Sequence, residues 1–209
     1  MSDLSDRRRD LGLTQSELAR AAGISRTALS LIENGRLRPS PRTLGALERG
    51  LDPLANPVFL RLGKGALVAA DAIRAVAEEH DLDYALTLDV AVWILTRYQT
   101  PATAWAYVRP LEGWRSALRK RGIRRAGVGE RSDLVLLRAP DEVLRDARTV
   151  EGFALASVRR LLLDCARFRG RRTLDAARVF VAFPEARSPG LRLDPDALLK
   201  VFEEVVART

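Results

Sequence analysis

Apolar residues in the first fifty positions recur at helical spacing, in short runs bounded by polar caps or glycines. A first helix, capped by Ser2 or Ser5, runs to about Leu11 and stops at Gly12. Thr14-Gln15-Ser16-Glu17 has the capping-box pattern, in which a hydroxyl and a carboxylate three residues apart satisfy each other's backbone amides. The helix it opens turns Leu18, Ala19 and Ala22 inward and stops at Gly23. Ser25 caps a third helix, which carries Leu29 and Ile32 and ends at Asn34-Gly35, where glycine tolerates the positive φ of a helix stop. Pro41 sits in the first turn of a fourth helix, where its missing N–H costs nothing. Leu44, Leu47 and Leu51 give that helix an apolar stripe. Asp52-Pro53 and Asn56-Pro57 punctuate the chain and set a boundary between domains 1–56 and 57–209. Gly63 and Gly65 offer a second break, ending a short connecting helix.

Beyond 57 the pattern changes type from segment to segment. Residues 66–79 read as a helix, and 82–98 as another with Ala85, Leu88, Val92 and Leu95 on one face. Trp105, Tyr107 and Val108 make 103–109 strand-like, 111–121 is helical, and Leu134 to Leu137 make 133–138 a short strand. Helices over about 154–168, 173–182 and 195–207 finish the chain, with Thr173 and Asp194 capping the last two. The predicted fold class is α+β: an all-α N-terminal domain, then a mixed, mostly helical domain with a small sheet.

Composition narrows the partners. The 209 residues are 47% hydrophobic and 30% charged, enough apolar material for a core. Lys plus Arg number 35 against 27 acids, a net charge of +8, which draws attention to nucleic acid. Nine arginines and six acids give residues 1–50 a net +3, so the remaining +5 lies beyond them. Arginine supplies all but Lys64, Lys120 and Lys200, and a coding bias toward GC-rich codons explains that ratio as well as phosphate recognition does. Cys165 and His80 are each the sole residue of their type, so no intramolecular disulfide forms and a Cys/His metal site lacks ligands. Cys165 reads as a small core residue and His80 as a surface or capping residue. No apolar run is long enough to cross a membrane and the N-terminus has no apolar signal core. A cytoplasmic location without membrane partners or cofactors is expected.

The first fifty residues resemble a known family. Leu11 to Ala19, Ala22-Gly23-Ile24-Ser25, Leu29 to Gly35, Arg38-Pro39-Ser40 and Thr43-Leu44 together resemble the lambda-repressor-like, or XRE, helix-turn-helix regulators. Physically, Leu18, Ala19, Ile24, Leu29 and Ile32 pack two helices across a glycine turn and free the other face of the second helix for a major groove. The resemblance implies that Ser25, Arg26, Thr27, Ser30 and Leu31 read base edges. Arg26 is the candidate for a guanine and Leu31 for a thymine methyl, against alternatives of a phosphate-bound or solvated arginine and a core-edge leucine. The resemblance places Gln15 on a phosphate at a helix N-terminus, and Asn34, Arg36 and Arg38 on the backbone of the same half-site. It also implies a structural ion pair between Arg8 and Glu33. The segment before Leu11 is short for the family, so the first helix is expected to be about a turn shorter.

The rest is less specific. Tyr84 to Ala91 with the strand near Tyr107, and Ala156-Ser157-Val158 with Leu161 to Asp164 and Arg171, are similar to the C-terminal region of AbiEi-type antitoxins. Gly127 to Leu136 resembles the metal-binding strand of nucleotidyltransferases, but Val135 stands where a second carboxylate is needed beside Asp133, so no enzyme activity is expected. Arg115, Arg119, Lys120, Arg121, Arg124 and Arg125 form a basic cluster with Trp105, Tyr107 and Trp114 nearby in sequence, either a second nucleic-acid surface or a solvated face. The expected protein is a regulator that binds double-stranded DNA as a homodimer and represses at a palindromic operator. The alternatives are an antitoxin with a toxin-like protein partner that autoregulates its operon, a sensor of a small effector bound between the 82–98 helix and the strands, and a degenerate nucleotidyltransferase-like protein fused to a helix-turn-helix.

Overall fold

The computed structural model of the chain describes residues 3–168 and the single position Lys200. The expected helices over 173–182 and 195–207 lie outside the described residues.

Four short helices come first: α1 (Asp3–Asp10), α2 (Gln15–Ala22), α3 (Arg26–Glu33) and α4 (Pro41–Gly50). Their boundaries have local causes. Thr14 Oγ1 accepts from the Glu17 amide at 3.2 Å while Glu17 Oε2 accepts from the Thr14 amide at 2.8 Å, which closes the capping box. Gly23, at φ 67°, stops α2. Ser25 and Ser40 cap α3 and α4 by accepting from the amides of Ala28 and Thr43, both at 3.1 Å. Leu11, Leu13, Leu18, Ala19, Leu29, Ile32, Leu47 and Leu51 close a small core among these helices. A Cβ on Gly50 would stand 2.9 Å from Leu18 Cδ1, so the glycine sets how closely the end of α4 approaches α2. The stripe expected on α4 is only partly buried. Leu47 and Leu51 are covered, but Leu44 is 47% exposed, because it lies in the first turn, at the opposite end from that close approach.

After a 3-10 turn at Pro53–Ala55, a mixed α/β domain follows: β1 (Val58–Arg61), α5 (Ala66–His80), β2 (Asp83–Thr87), α6 (Leu88–Thr96), β3 (Ala104–Arg109), α7 (Leu111–Lys120), β4 (Arg124–Arg125), β5 (Leu134–Arg138), α8 (Asp141–Arg145), β6 (Arg148–Val150), β7 (Phe153–Leu155) and α9 (Val158–Phe168). Among the described residues the seven strands form one sheet in the order β4-β1-β5-β3-β2-β7-β6. Its centre is mixed. β3 runs parallel to β5, with Val108 opposite Arg138, and antiparallel to β2, with Tyr107 opposite Ala85. α9 covers the face bearing Trp105 and Tyr107, and α7 packs Trp114 against Tyr84 on the other.

Two expectations about this domain are corrected. The sheet is not small, and the segment 82–98 is not one helix. Asp83–Thr87 is a strand, and the chain turns at Leu88, whose φ is 53°, before α6 begins. Likewise 154–168 begins with the last residues of β7, and the connecting helix expected before Gly63 is instead β1. For β2 the cause is burial. A strand covered by helices on both faces loses the alternation that marks a half-buried strand, and Ala85-Leu86-Thr87 are all fully buried.

The sheet is pinned to α9 by a buried polar cluster. Thr87 Oγ1 donates to Asp164 Oδ2 at 2.7 Å, and the Tyr107 hydroxyl lies 2.9 Å from both Asp164 oxygens. Arg160 Nε lies 2.9 Å from Asp164 Oδ1 and donates to the Tyr107 hydroxyl at 3.0 Å. Burial and the negative charge of Asp164 push the Tyr107 phenol well above its ordinary value. No buried side-chain polar atom among the described residues lacks a partner, so the cluster is fully satisfied.

Candidate nucleic-acid interface

The node that fixes α3 lies between three helices. Arg8, on α1, donates from Nε to Glu33 Oε1 at 2.6 Å and from Nη2 to Glu33 Oε2 at 3.2 Å. Its third nitrogen donates to the Leu13 carbonyl at 2.7 Å. Gln15, the first residue of α2, donates to Glu33 Oε2 at 2.8 Å. Glu33 is only 4% exposed at its side chain and Arg8 10%. Burial alone would push the Glu33 carboxyl up, but the hydrogen bonds from Arg8 and Gln15 and the charge of Arg8 outweigh it and hold the group below its usual range. The Arg8–Glu33 contact is therefore bidentate and nearly dry. Gln15, which the resemblance places on a phosphate, spends its amide on Glu33 and stands at the entrance of the node.

With the end of α3 held there, the opposite face is bare. Arg26 and Thr27 are exposed, Leu31 is 37% exposed, and Ser30 is half-buried. Ser25 is exposed too, and its hydroxyl already accepts the Ala28 amide as a cap. Asn34, Arg36 and Arg38 follow in an exposed loop. The Asn34 amide reaches the Ser30 hydroxyl at 3.5 Å, at the outer limit of a hydrogen bond. Arg26, Arg36 and Arg38 have no ion-pair partner among the described residues. Eight residues of helix with a polar, mostly unengaged face and cations at its trailing end have the size and chemistry of a probe for one major groove.

The model of the Helix-turn-helix family matches residues 4–54. This segment is a helix-turn-helix domain of the DNA-binding kind. The match agrees with the XRE-type resemblance of the motif and spans α1 to α4 with the turn that follows. Over 44 residues, which are 21% of this chain, the protein is 50% identical to the ImmF control region 10 kDa protein of Bacillus phage phi105. Those residues are 49% of that relative, so the chain spans about half the length of the curated protein it matches. No solved structure matches the chain.

The other candidate residues belong to the sheet domain. The basic cluster is divided among α7, its C-cap residue Arg121 and the short edge strand β4. Arg115 pairs with Glu112 at 2.6 Å, Arg124 with Glu130 at 2.7 Å, and Arg121 with Glu79. Arg124 and the Gly127 amide hold Glu130 down to about 2. Arg119, Lys120 and Arg125 are exposed. Trp105, Tyr107 and Trp114 are buried, so no aromatic of this group is free to stack on a base. Asp133 has a different use from the one its strand suggested. Its Oδ1 accepts from the Leu62 amide at 2.7 Å, and its Oδ2 from Gly63 at 2.6 Å, Lys64 at 3.1 Å and Gly65 at 3.3 Å. Four backbone donors converge on one carboxylate and close the β1–α5 loop. Those bonds outweigh burial and keep Asp133 below its usual range. Burial pushes the Cys165 thiol up, away from reactivity, and His80 lies 3.6 Å from Glu79 at the end of α5.

Sequence reading missed the residues that tie the helix-turn-helix to the sheet. Arg138, the last residue of β5, donates to Glu17 Oε1 at 2.6 Å and to the Gly12 carbonyl at 3.2 Å. Arg109, the last residue of β3, donates to the Asp10 carbonyl at 3.2 Å and pairs with Asp141. Each is more than ninety positions from its partner, and no local spacing rule reaches that far.

Proposed function

We propose that this protein is a sequence-specific DNA-binding transcriptional regulator, acting as a repressor on a palindromic operator as a homodimer. The observation that carries the reading is the exposed face of Ser25, Arg26, Thr27, Ser30 and Leu31 on a helix fixed by the Arg8–Glu33–Gln15 node. A preorganised reading helix loses little freedom on binding, so its contacts translate into discrimination. One such helix reads few base pairs, and two related by symmetry reach the affinity a regulator needs. That the phage relative is a control-region protein fits this role. No catalytic role is assigned. The engagement of Asp133 by four amides supports that assignment, since a metal ligand needs free lone pairs.

Genome-wide mapping of bound sites, followed by footprinting of the recovered sequence, tests the proposal. The expected result is one recurrent motif with two-fold symmetry. Arg26→Ala should flatten preference at one base position per half-site, whereas Arg36→Ala should weaken all sequences alike and lower the salt slope by about one. Sedimentation with and without the recovered site should give a dimer on DNA. A strict monomer on an asymmetric site would remove the homodimer and palindrome.

A further inference from the structure

A cleft opens where the helix-turn-helix meets the sheet domain. It encloses about 290 Å³ and is floored by Leu13, Val58 and Leu111. Its walls carry five ionisable side chains: Glu17 and Arg20 from α2, Glu112 and Arg115 from α7, and Arg138 from β5. Three guanidinium groups therefore face two carboxylates. The carboxylates are unequally held. Glu17 is fixed by the Thr14 cap and by Arg138, whose side chain is only 18% exposed, so this pair belongs to the frame. Glu112 is 73% exposed and pairs with Arg115 only as a neighbour one helical turn away, an arrangement that water and salt weaken. Arg20 is exposed and has no ion-pair partner among the described residues. Two arginines from different helices, α2 and α7, one without an ion-pair partner among the described residues and one loosely paired, thus line one cleft with apolar residues and are available to an anion.

We infer that this cleft binds a compact dianion, a phosphomonoester or a dicarboxylate, between Arg20 and Arg115. The volume lies at the small end of ligand sites and suits a metabolite of a few carbons rather than a nucleotide. Planar guanidinium forks match both carboxylate and phosphate oxygens. The occupant would touch α2 from one side and α7 from the other. Resting on the regulator reading above, occupancy then changes the placement of the helix-turn-helix on the sheet and with it operator affinity.

Binding is tested on the full chain without DNA. Glycerol 3-phosphate, succinate and inorganic phosphate are titrated calorimetrically at low salt. At least one should bind saturably, and which one tells a phosphate from a carboxylate site. Arg20→Ala and Arg115→Ala should each weaken that binding at least tenfold, with unchanged melting, while Arg145→Ala on the remote α8 leaves it alone. No saturable binding by any probe overturns the proposal, as does equal weakening by Arg145→Ala, which would mean general attraction to a basic protein. If Arg20→Ala and Arg115→Ala lower DNA affinity tenfold with no small anion present, the arginines serve the DNA backbone and the site is not an effector cleft. An anion that binds yet shifts operator affinity less than threefold refutes the coupling. Failure of the regulator reading would show instead as no recovered operator, with the calorimetry untouched.

Discussion

Replacing Arg8 by alanine tests the foundation of the reading face. The change deletes three hydrogen bonds at once: two to Glu33, at 2.6 and 3.2 Å, and one to the Leu13 carbonyl at 2.7 Å. It leaves the Glu33 carboxylate buried with Gln15 as its remaining side-chain donor. Breaking one partner of a buried pair costs about 3–5 kcal/mol, and the surviving Gln15 bond places this case near 3. A small domain loses roughly 4–8 °C of melting temperature per kcal/mol, so the helix-turn-helix should melt at least about 10 °C lower, read by circular dichroism at neutral pH. The paired replacement Arg8→Met with Glu33→Leu should cost less than Arg8→Ala alone, because no charge is then stranded. The pH dependence has a defined sign. Glu33 titrates below its usual range when folded, so its stabilisation is complete above the unfolded carboxylate value of about 4.3 and is lost as pH falls through the lowered one. An Arg8→Ala protein that melts within about 2 °C of the parent, or a pH profile flat between neutrality and acid, would show that the node does not hold α3.

Asp133→Asn should destabilise the sheet domain by about 2–4 kcal/mol in denaturant titrations, because an amide keeps one accepting oxygen but sets its NH2 against backbone N–H groups that the other carboxylate oxygen accepts. Tyr107→Phe should cost about 1–3 kcal/mol in the same assay, since Asp164 keeps Thr87 and Arg160 but loses the phenol, and Arg160 loses the hydroxyl it donates to; Asp164→Ala should cost more, because it strands Arg160. In operator binding, Arg26→Ala should remove about 1–3 kcal/mol of discrimination at a single base pair, measured by competition between the recovered site and its point variants.

How much of this was legible follows from how far apart the deciding residues lie. Every boundary of α2 and α3 rests on contacts within about four positions: Thr14 with Glu17, Ser25 with Ala28, and the Gly23 stop. The small core repeats at helical spacing, so the helix-turn-helix could be read directly, and the family resemblance brought Arg8 to Glu33 across twenty-five residues. The sheet domain offers no such local code. β2 is set by pairing with β3 on one side and with β7, some seventy residues away, on the other. Its buried Ala85-Leu86-Thr87 fits a helix as well as a strand until those partners are known. Asp133 shows the same limit for function. Its strand suggested a metal ligand, and only the fold revealed that the Gly63-Lys64-Gly65 loop reaches back to occupy it.

The sheet holds the turn before α2 by two arginines, while Arg167 of α9 pairs with Asp52, just after α4, at 3.5 Å. Arg109 and Arg138 end neighbouring parallel strands, β3 and β5, and project toward the same turn, where they take the carbonyls of Asp10 and Gly12. Arg138 also grips Glu17, the carboxylate that closes the α2 capping box through its other oxygen. A single side chain thus fixes the start of α2 and joins it to the sheet. None of these anchors touches α3 or the loop carrying Asn34, Arg36 and Arg38, so the sheet domain holds the motif without masking the face proposed to read DNA. The geometry also constrains how the second domain could influence that face. A shift in the sheet domain can reach α3 through the turn before α2, by way of Leu13 and Gln15, which contact Arg8 and Glu33, and through the end of α1, where Arg109 holds the Asp10 carbonyl two residues from Arg8. The cleft between Arg20 and Arg115 lies beside α2, which carries both Glu17, held by Arg138, and Gln15 of the node.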